Sequence, residues 1–120
     1  MARQALLIVD HGSKRDAANR MLEDVVEILR RQRPELIVQH AHMELASPDI
    51  RTGFASCVAE GAAEVVVHPY MLSPGRHATE DIPRLVREAA EDFPDVSYRV
   101  TPPLGLHDKL CEVILDRAGL

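Results

Sequence analysis

The stretch Glu64-Val-Val-Val-His-Pro-Tyr-Met-Leu-Ser-Pro-Gly-Arg-His-Ala-Thr-Glu-Asp-Ile-Pro83 decides the fold. Its first residues are the apolar tail of a strand, and Ser73-Pro74-Gly75 cannot continue that strand. A polar loop carrying Arg76, His77 and Thr79 follows. Glu80-Asp81-Ile82-Pro83 then reads as the entrance of a helix. In an α/β protein, ligands bind at strand-loop-helix corners of this kind. His77 is therefore a candidate for chemistry.

The pattern repeats on both sides. Ala5 to Val9 is a continuous apolar run of strand length, ending at Asp10-His11-Gly12-Ser13. A strand that is apolar on both faces belongs to a covered, hence parallel, sheet. From Asp16 to Arg33 the period lengthens, and Ala18, Met21, Leu22, Val25 and Leu29 mark an amphipathic helix closed by Pro34. Arg30, Arg31 and Arg33 suit its C-terminal dipole. Leu36 to Met43 is a second strand, on which His40, His42 and Glu44 share a face if it runs that far. Ser47-Pro48-Asp49 reads as a cap, a first-turn proline and an acid, opening a helix with Ile50, Phe54, Cys57 and Val58 that ends near Gly61.

Beyond Pro83, the residues Ile82, Leu85, Val86, Ala89, Ala90 and Phe93 form the next buried stripe. Val96 to Thr101 is a more polar strand suited to a sheet edge. After Pro102-Pro103-Leu104-Gly105, the residues Leu106, Leu110, Val113 and Ile114 mark a last helix. The order βαβαβαβα predicts a three-layer α/β/α domain on a four-stranded parallel sheet, with right-handed crossovers. At 120 residues with no repeat or linker, residues 1–120 read as a single domain.

Composition removes several classes of function. The 46% hydrophobic fraction supports one core. There is no Trp and only two each of Tyr and Phe, so stacking platforms for single-stranded nucleic acid are missing. A net charge of −5 argues against a general nucleic-acid footprint. No apolar run approaches the roughly 18 residues of a membrane helix, and no signal-peptide layout precedes the first strand. Cys57 and Cys111 lack a CxxC context and read as free thiols in a reducing, cytoplasmic setting.

His11, Glu44 and His77 each follow one of three successive strands, and a parallel sheet brings those ends to one crevice. Two imidazoles and a carboxylate form a common first shell for a divalent metal. They are also proton acceptors of suitable pKa. Taken singly, a strand-end histidine is more often a turn residue, and Glu44 a solvated acid; the convergence gives them weight. His40 and His42 are competing donors, whereas His68 and His107 read as structural. Gly12-Ser13-Lys14-Arg15 turns into a helix N-terminus that can face an anion, with Arg76 joining from the other loop. The turn has neither a P-loop nor a GxGxxG pattern.

Three blocks resemble the CbiX/SirB family of class II tetrapyrrole chelatases. They are Leu6-Leu-Ile-Val-Asp-His-Gly-Ser13, Met43-Glu-Leu-Ala-Ser-Pro-Asp-Ile50 and Pro69 to Pro83, with Leu104-Gly-Leu-His107 similar to the family's C-terminal block. The third is the most specific. The resemblance implies a short, homodimeric CbiX form that inserts a divalent metal, cobalt first and iron or nickel next, into sirohydrochlorin for cobalamin- or siroheme-type synthesis. It implies His11, His77 and Glu44 as catalytic and metal-holding residues. Ser13, Lys14, Arg15, Arg76 and Thr79 would meet the substrate's carboxylates. No organic cofactor, nucleic acid or membrane is implied; Co2+, Fe2+ or Ni2+ enters as substrate. Two departures stand out: Lys14 occupies a position where arginine is frequent, and His42 one where an aromatic or bulky apolar residue is usual. A non-catalytic metal or tetrapyrrole carrier, or a hydrolase using metal-bound water, would use the same donors.

Overall fold

The computed structural model describes residues 3–120. The apolar run near the N-terminus becomes strand β1, Arg3–Asp10, and β2 spans Ile37–His42, β3 Ala62–Pro69 and β4 Ser97–Val100. All neighbouring pairs are parallel, in the order β2-β1-β3-β4. The chain thus doubles back after β2, and β1 and β3 become the central strands. Their residues Leu7, Val9, Val65 and Val67 are fully buried. The polar strand β4 takes the edge, as its composition requires.

Alternation along the strands splits the core in two. Ala5, Leu7, Val9, Ile37, Ala41, Val65 and Val67 face helices α2, Ile50–Ala59, and α3, Ile82–Ala90. Phe54 fills the centre of that layer and stacks on Phe93 at 6.0 Å. Truncating such a ring costs about 3–5 kcal/mol. The opposite face carries Ile8 and Val38, which meet Leu22 and Val26 of helix α1, Asp16–Gln32.

Several local expectations need adjustment. On α1 the buried stripe is Leu22 and Val26, flanked by Val25 and Leu29; Ala18 and Met21 face solvent. The helix packs mainly on β2 and less on β1, so its contact stripe is narrow. The cap of α2 is Asp49, not Ser47: its carboxylate accepts the Thr52 N–H at 2.8 Å, which lowers its pKa. His77 is not in an open loop. A π-helical turn over His77–Asp81 runs straight into α3. Pro83 lacks an N–H and fits the first turn of α3. Strand β2 ends at His42, so Glu44 leaves the face shared by His40 and His42.

Helix α4, Asp108–Ala118, forms where the apolar spacing places it, and His107 caps it by accepting the Lys109 N–H. Yet none of its residues is buried, and Val113, Ile114 and Leu115 are each at least half exposed. On the α1 side of the sheet, Leu6, Val66 and His68 stay only half-buried. His68 is held by a 2.8 Å contact with Thr101 Oγ1. No helix among the described residues is long and apolar enough to cross a membrane. Cys57 and Cys111 are both free, and burial pushes the Cys57 thiol up to about 12.

Candidate metal and substrate site

The C-terminal ends of β1, β2 and β3 deliver His11, Glu44 and His77 to one edge, as a parallel sheet must. His11 Nε2 lies 3.2 Å from Glu44 Oε1, with both side chains about half exposed. A lone pair on nitrogen and a carboxylate oxygen at that separation need a cation between them. A proton satisfies the pair. So does a divalent metal: bonds of about 2.0–2.2 Å at tetrahedral or octahedral angles separate two ligands by roughly 2.8–3.6 Å.

The His77 ring stands edge-on to His11, with centroids 4.7 Å apart. Its Nδ1 is 2.8 Å from Asp81 Oδ2, one helical turn on. With the Nδ1 proton on that bond, Nε2 keeps its lone pair for a metal or a proton. The three side chains meet as two pairs that share His11. Among the described residues no three acidic, histidine or cysteine side chains close into a ligand cage. An open arrangement suits an ion in transit more than a structural one.

Beside the pair lies a cleft of about 280 Å3 lined by His11, Met71, Leu72, Ser73, Gly75, His77 and Ala78. The segment after Pro102 is tied to two cleft-lining residues: Leu104 N–H donates to Met71 O at 2.9 Å and Gly105 N–H to Leu72 O at 2.8 Å. Leu72, which lines the cleft, leaves apolar surface exposed at it.

The proposed carboxylate partners divide into two sets. Lys14, Arg15 and Arg76 are exposed, and Arg76 is only 3.6 Å from Glu80, a loose contact. The Ser13 N–H instead donates to Asn19 Oδ1 at 3.0 Å, while Asn19 Nδ2 returns to Ser13 O at 2.8 Å. Thr79 donates both its N–H and its hydroxyl to Gly75 O. Ser13 and Thr79 thus shape the two turns, and their N–H groups are already engaged.

Three residues escaped the sequence reading. Asp81 carries a visible signal, since it lies four residues after His77 on a helix. Asn19 clasps a turn six residues back. Asp10 meets His42, with Nδ1 2.6 Å from Oδ1, only because strand register places them opposite.

Comparison with known proteins gives a consistent result. The CbiX family profile matches residues 5–119. The chloroplastic sirohydrochlorin ferrochelatase of Arabidopsis thaliana is 48% identical over 112 residues, which are 93% of this chain and 50% of that protein. The sirohydrochlorin cobaltochelatase of Priestia megaterium is 32% identical, over 95% of this chain and 37% of its own length. Among solved structures, the sirohydrochlorin chelatase SirB from Bacillus subtilis subspecies spizizenii, in complex with cobalt, superposes with a TM-score of 0.90 at 29% identity. The match covers 98% of this chain and 50% of SirB. The chain therefore spans half or less of the length of these relatives.

Proposed function

The chain belongs to the CbiX family, and on that premise we propose that it inserts a divalent metal ion into sirohydrochlorin, a lyase reaction. One observation carries the reading: the 3.2 Å His11–Glu44 pair beside the His77 ring, at the sheet edge that opens on a cleft. His11 Nε2 and Glu44 hold the incoming ion, with the His77 ring beside them at the cleft. Insertion releases two pyrrole protons, and a neutral imidazole accepts protons near pH 7. Lys14, Arg15 and Arg76, the last only loosely held by Glu80, are exposed and meet the carboxylates of the macrocycle. Ser13 and Thr79 contribute by holding the turns that present those cations.

Imidazole and carboxylate accept cobalt, iron and nickel alike. The relatives named for cobalt and for iron support those two metals first, for cobalamin- or siroheme-type synthesis. Free thiols fit a reducing compartment, and we place the protein in the cytoplasm.

The partner we propose is a second copy of this chain. Helix α4 buries none of its residues on its own chain, apolar surface rims the cleft, and SirB is twice as long as the segment it shares with this chain. A cleft of about 280 Å3 is also below the roughly 300–1,000 Å3 of ordinary ligand pockets. Docking α4 on a second copy adds wall to the site. Sedimentation should give twice the chain mass, and Ile114→Glu should return a monomer; a monomeric parent protein refutes the dimer.

The decisive experiment mixes protein, sirohydrochlorin and Co2+, Fe2+ or Ni2+ in turn, and follows the absorption spectrum. Acceleration over the spontaneous reaction is expected, with His77→Ala slower by about 10²–10⁴ and still folded. Tight binding without acceleration establishes a carrier instead.

A further inference from the structure

His42 is the one buried polar side chain among the described residues, at 1% exposure, and the chemistry above does not use it. Its partner Asp10 immediately precedes His11, and His42 lies two residues before Glu44. The two are register partners on the last rung of the β1–β2 ladder. Their 2.6 Å bond therefore lies directly under the two turns that carry the metal-holding pair.

Main-chain contacts continue above that bond. Met43 N–H donates to Asp10 O at 2.9 Å, and Glu44 N–H to His11 O at 3.2 Å. His42 N–H donates to Pro48 O at 2.8 Å and closes the loop that Glu44 opens. The turns are nearly in contact: a Cβ on Gly12 would lie 1.8 Å from Glu44 O and 3.3 Å from His42 Cβ. Leu45, just past Glu44, sits at φ 69°, a conformation that costs an L-residue about 1–2 kcal/mol. Such a conformation persists only where its surroundings over-determine it.

A buried imidazole without a partner is costly. A carboxylate accepting its Nδ1–H fixes the tautomer and the ring orientation. The bond thus joins one residue beside each metal-holding turn.

We infer that His42 is a positioning residue: through its buried bond to Asp10 it fixes the His11–Glu44 separation, and so sets affinity for the metal but not for the tetrapyrrole. The inference rests on the metal-holding role proposed for His11 and Glu44, and its test separates the two.

Co2+ binding is measured by calorimetry on the tetrapyrrole-free protein, and insertion kinetics give KM for each substrate. His42→Leu and His42→Phe both remove the donor and fill the space, so one serves if the other fails to fold. Each should raise the Co2+ Kd and the metal KM about 10–100-fold, with the sirohydrochlorin KM within about two-fold. His42→Asn places an amide N–H near the position of Nδ1. It should restore the metal parameters to within a few-fold although it packs less well. A purely structural role would instead rank the variants by thermal midpoint. Wild-type Co2+ affinity in the Leu and Phe variants, or an Asn variant no better than Leu, overturns the inference. His11→Ala is the control. If it too binds Co2+ like the parent, the site lies elsewhere and both readings fall. If it abolishes binding while the His42 variants bind normally, only the positioning role falls.

Discussion

His11 and His77 face each other across 4.7 Å, and the chain holds them by opposite means. His11 follows a central strand, and its turn is bonded to residues more than thirty positions away: Asp10 to His42 and Met43, His11 to Glu44. His77 sits in the first turn of a helix, and its bonded partner is Asp81, four residues on. The glycines show the same contrast. Gly12, at φ +92°, has no room for a Cβ against Glu44 O, whereas a Cβ on Gly75 would meet nothing within 4 Å. One half of the site is fixed by the sheet and the other by local helix geometry. The His11–Glu44 pair is thus set by contacts between strand ends, and the orientation of the His77 ring by a bond within its own helical turn.

The largest effect should come from breaking the sheet-held half. Gly12→Ala forces a residue with a Cβ into a left-handed conformation against a carbonyl. We expect a loss of about 3–5 kcal/mol of stability, and with it the proposed insertion activity. Gly75→Ala should change stability by less than about 0.5 kcal/mol. Denaturant melts of both variants check the pair, and equal losses would erase the distinction between the two turns.

A smaller effect should come from the helix-held half. Asp81→Ala leaves the His77 ring in place but frees Nδ1. The insertion rate should fall about 10-fold, the low end for losing such a partner, and the thermal midpoint should stay within a few degrees. Asp81 is partly exposed, and its contact with Arg84 is a loose 3.9 Å. An unchanged rate would mean that His77 needs no local anchor.

The same contrast explains what could be read from sequence. The order of elements and the positions of the three candidate residues after successive strands follow from hydrophobic period, which is local, although β2 stops at His42 rather than Met43. The cap of α2 was misplaced by two residues because Ser47 and Asp49 are both good caps, and only the path of the chain chooses between them. The helical position of His77 was hidden by Ser73-Pro74-Gly75, which ends a strand but says little about where the next helix begins. The Asp10–His42 bond depends on register between strands far apart in sequence, and no single-chain pattern encodes register. Helix α4 was legible as a helix, while its lack of cover on its own chain is a tertiary property.

The smallest effect concerns pH, and it acts on the sheet-held half. His40 lies on β2 with only 18% of its side chain exposed, 3.7 Å from Glu23. Burial is the largest influence and pushes its pKa below the ordinary imidazole value, with Glu23 opposing in part. Burial alone moves His68 the same way. The unfolded chain therefore takes up these protons more readily than the folded one. The stability tied to the neutral rings is fully present above the ordinary imidazole value of about 6.5. It is lost as pH falls from there toward the lower folded values. Metal-free protein, melted between pH 7.5 and 5, should thus lose stability steadily on the acid side. His40→Gln should flatten part of that slope and His68→Gln another part, because glutamine keeps a polar group and takes up no proton. If the slope is unchanged in both variants, the acid sensitivity resides in groups other than these two sheet histidines, and the strand that anchors the Glu44 turn is no more acid-labile than the rest of the fold.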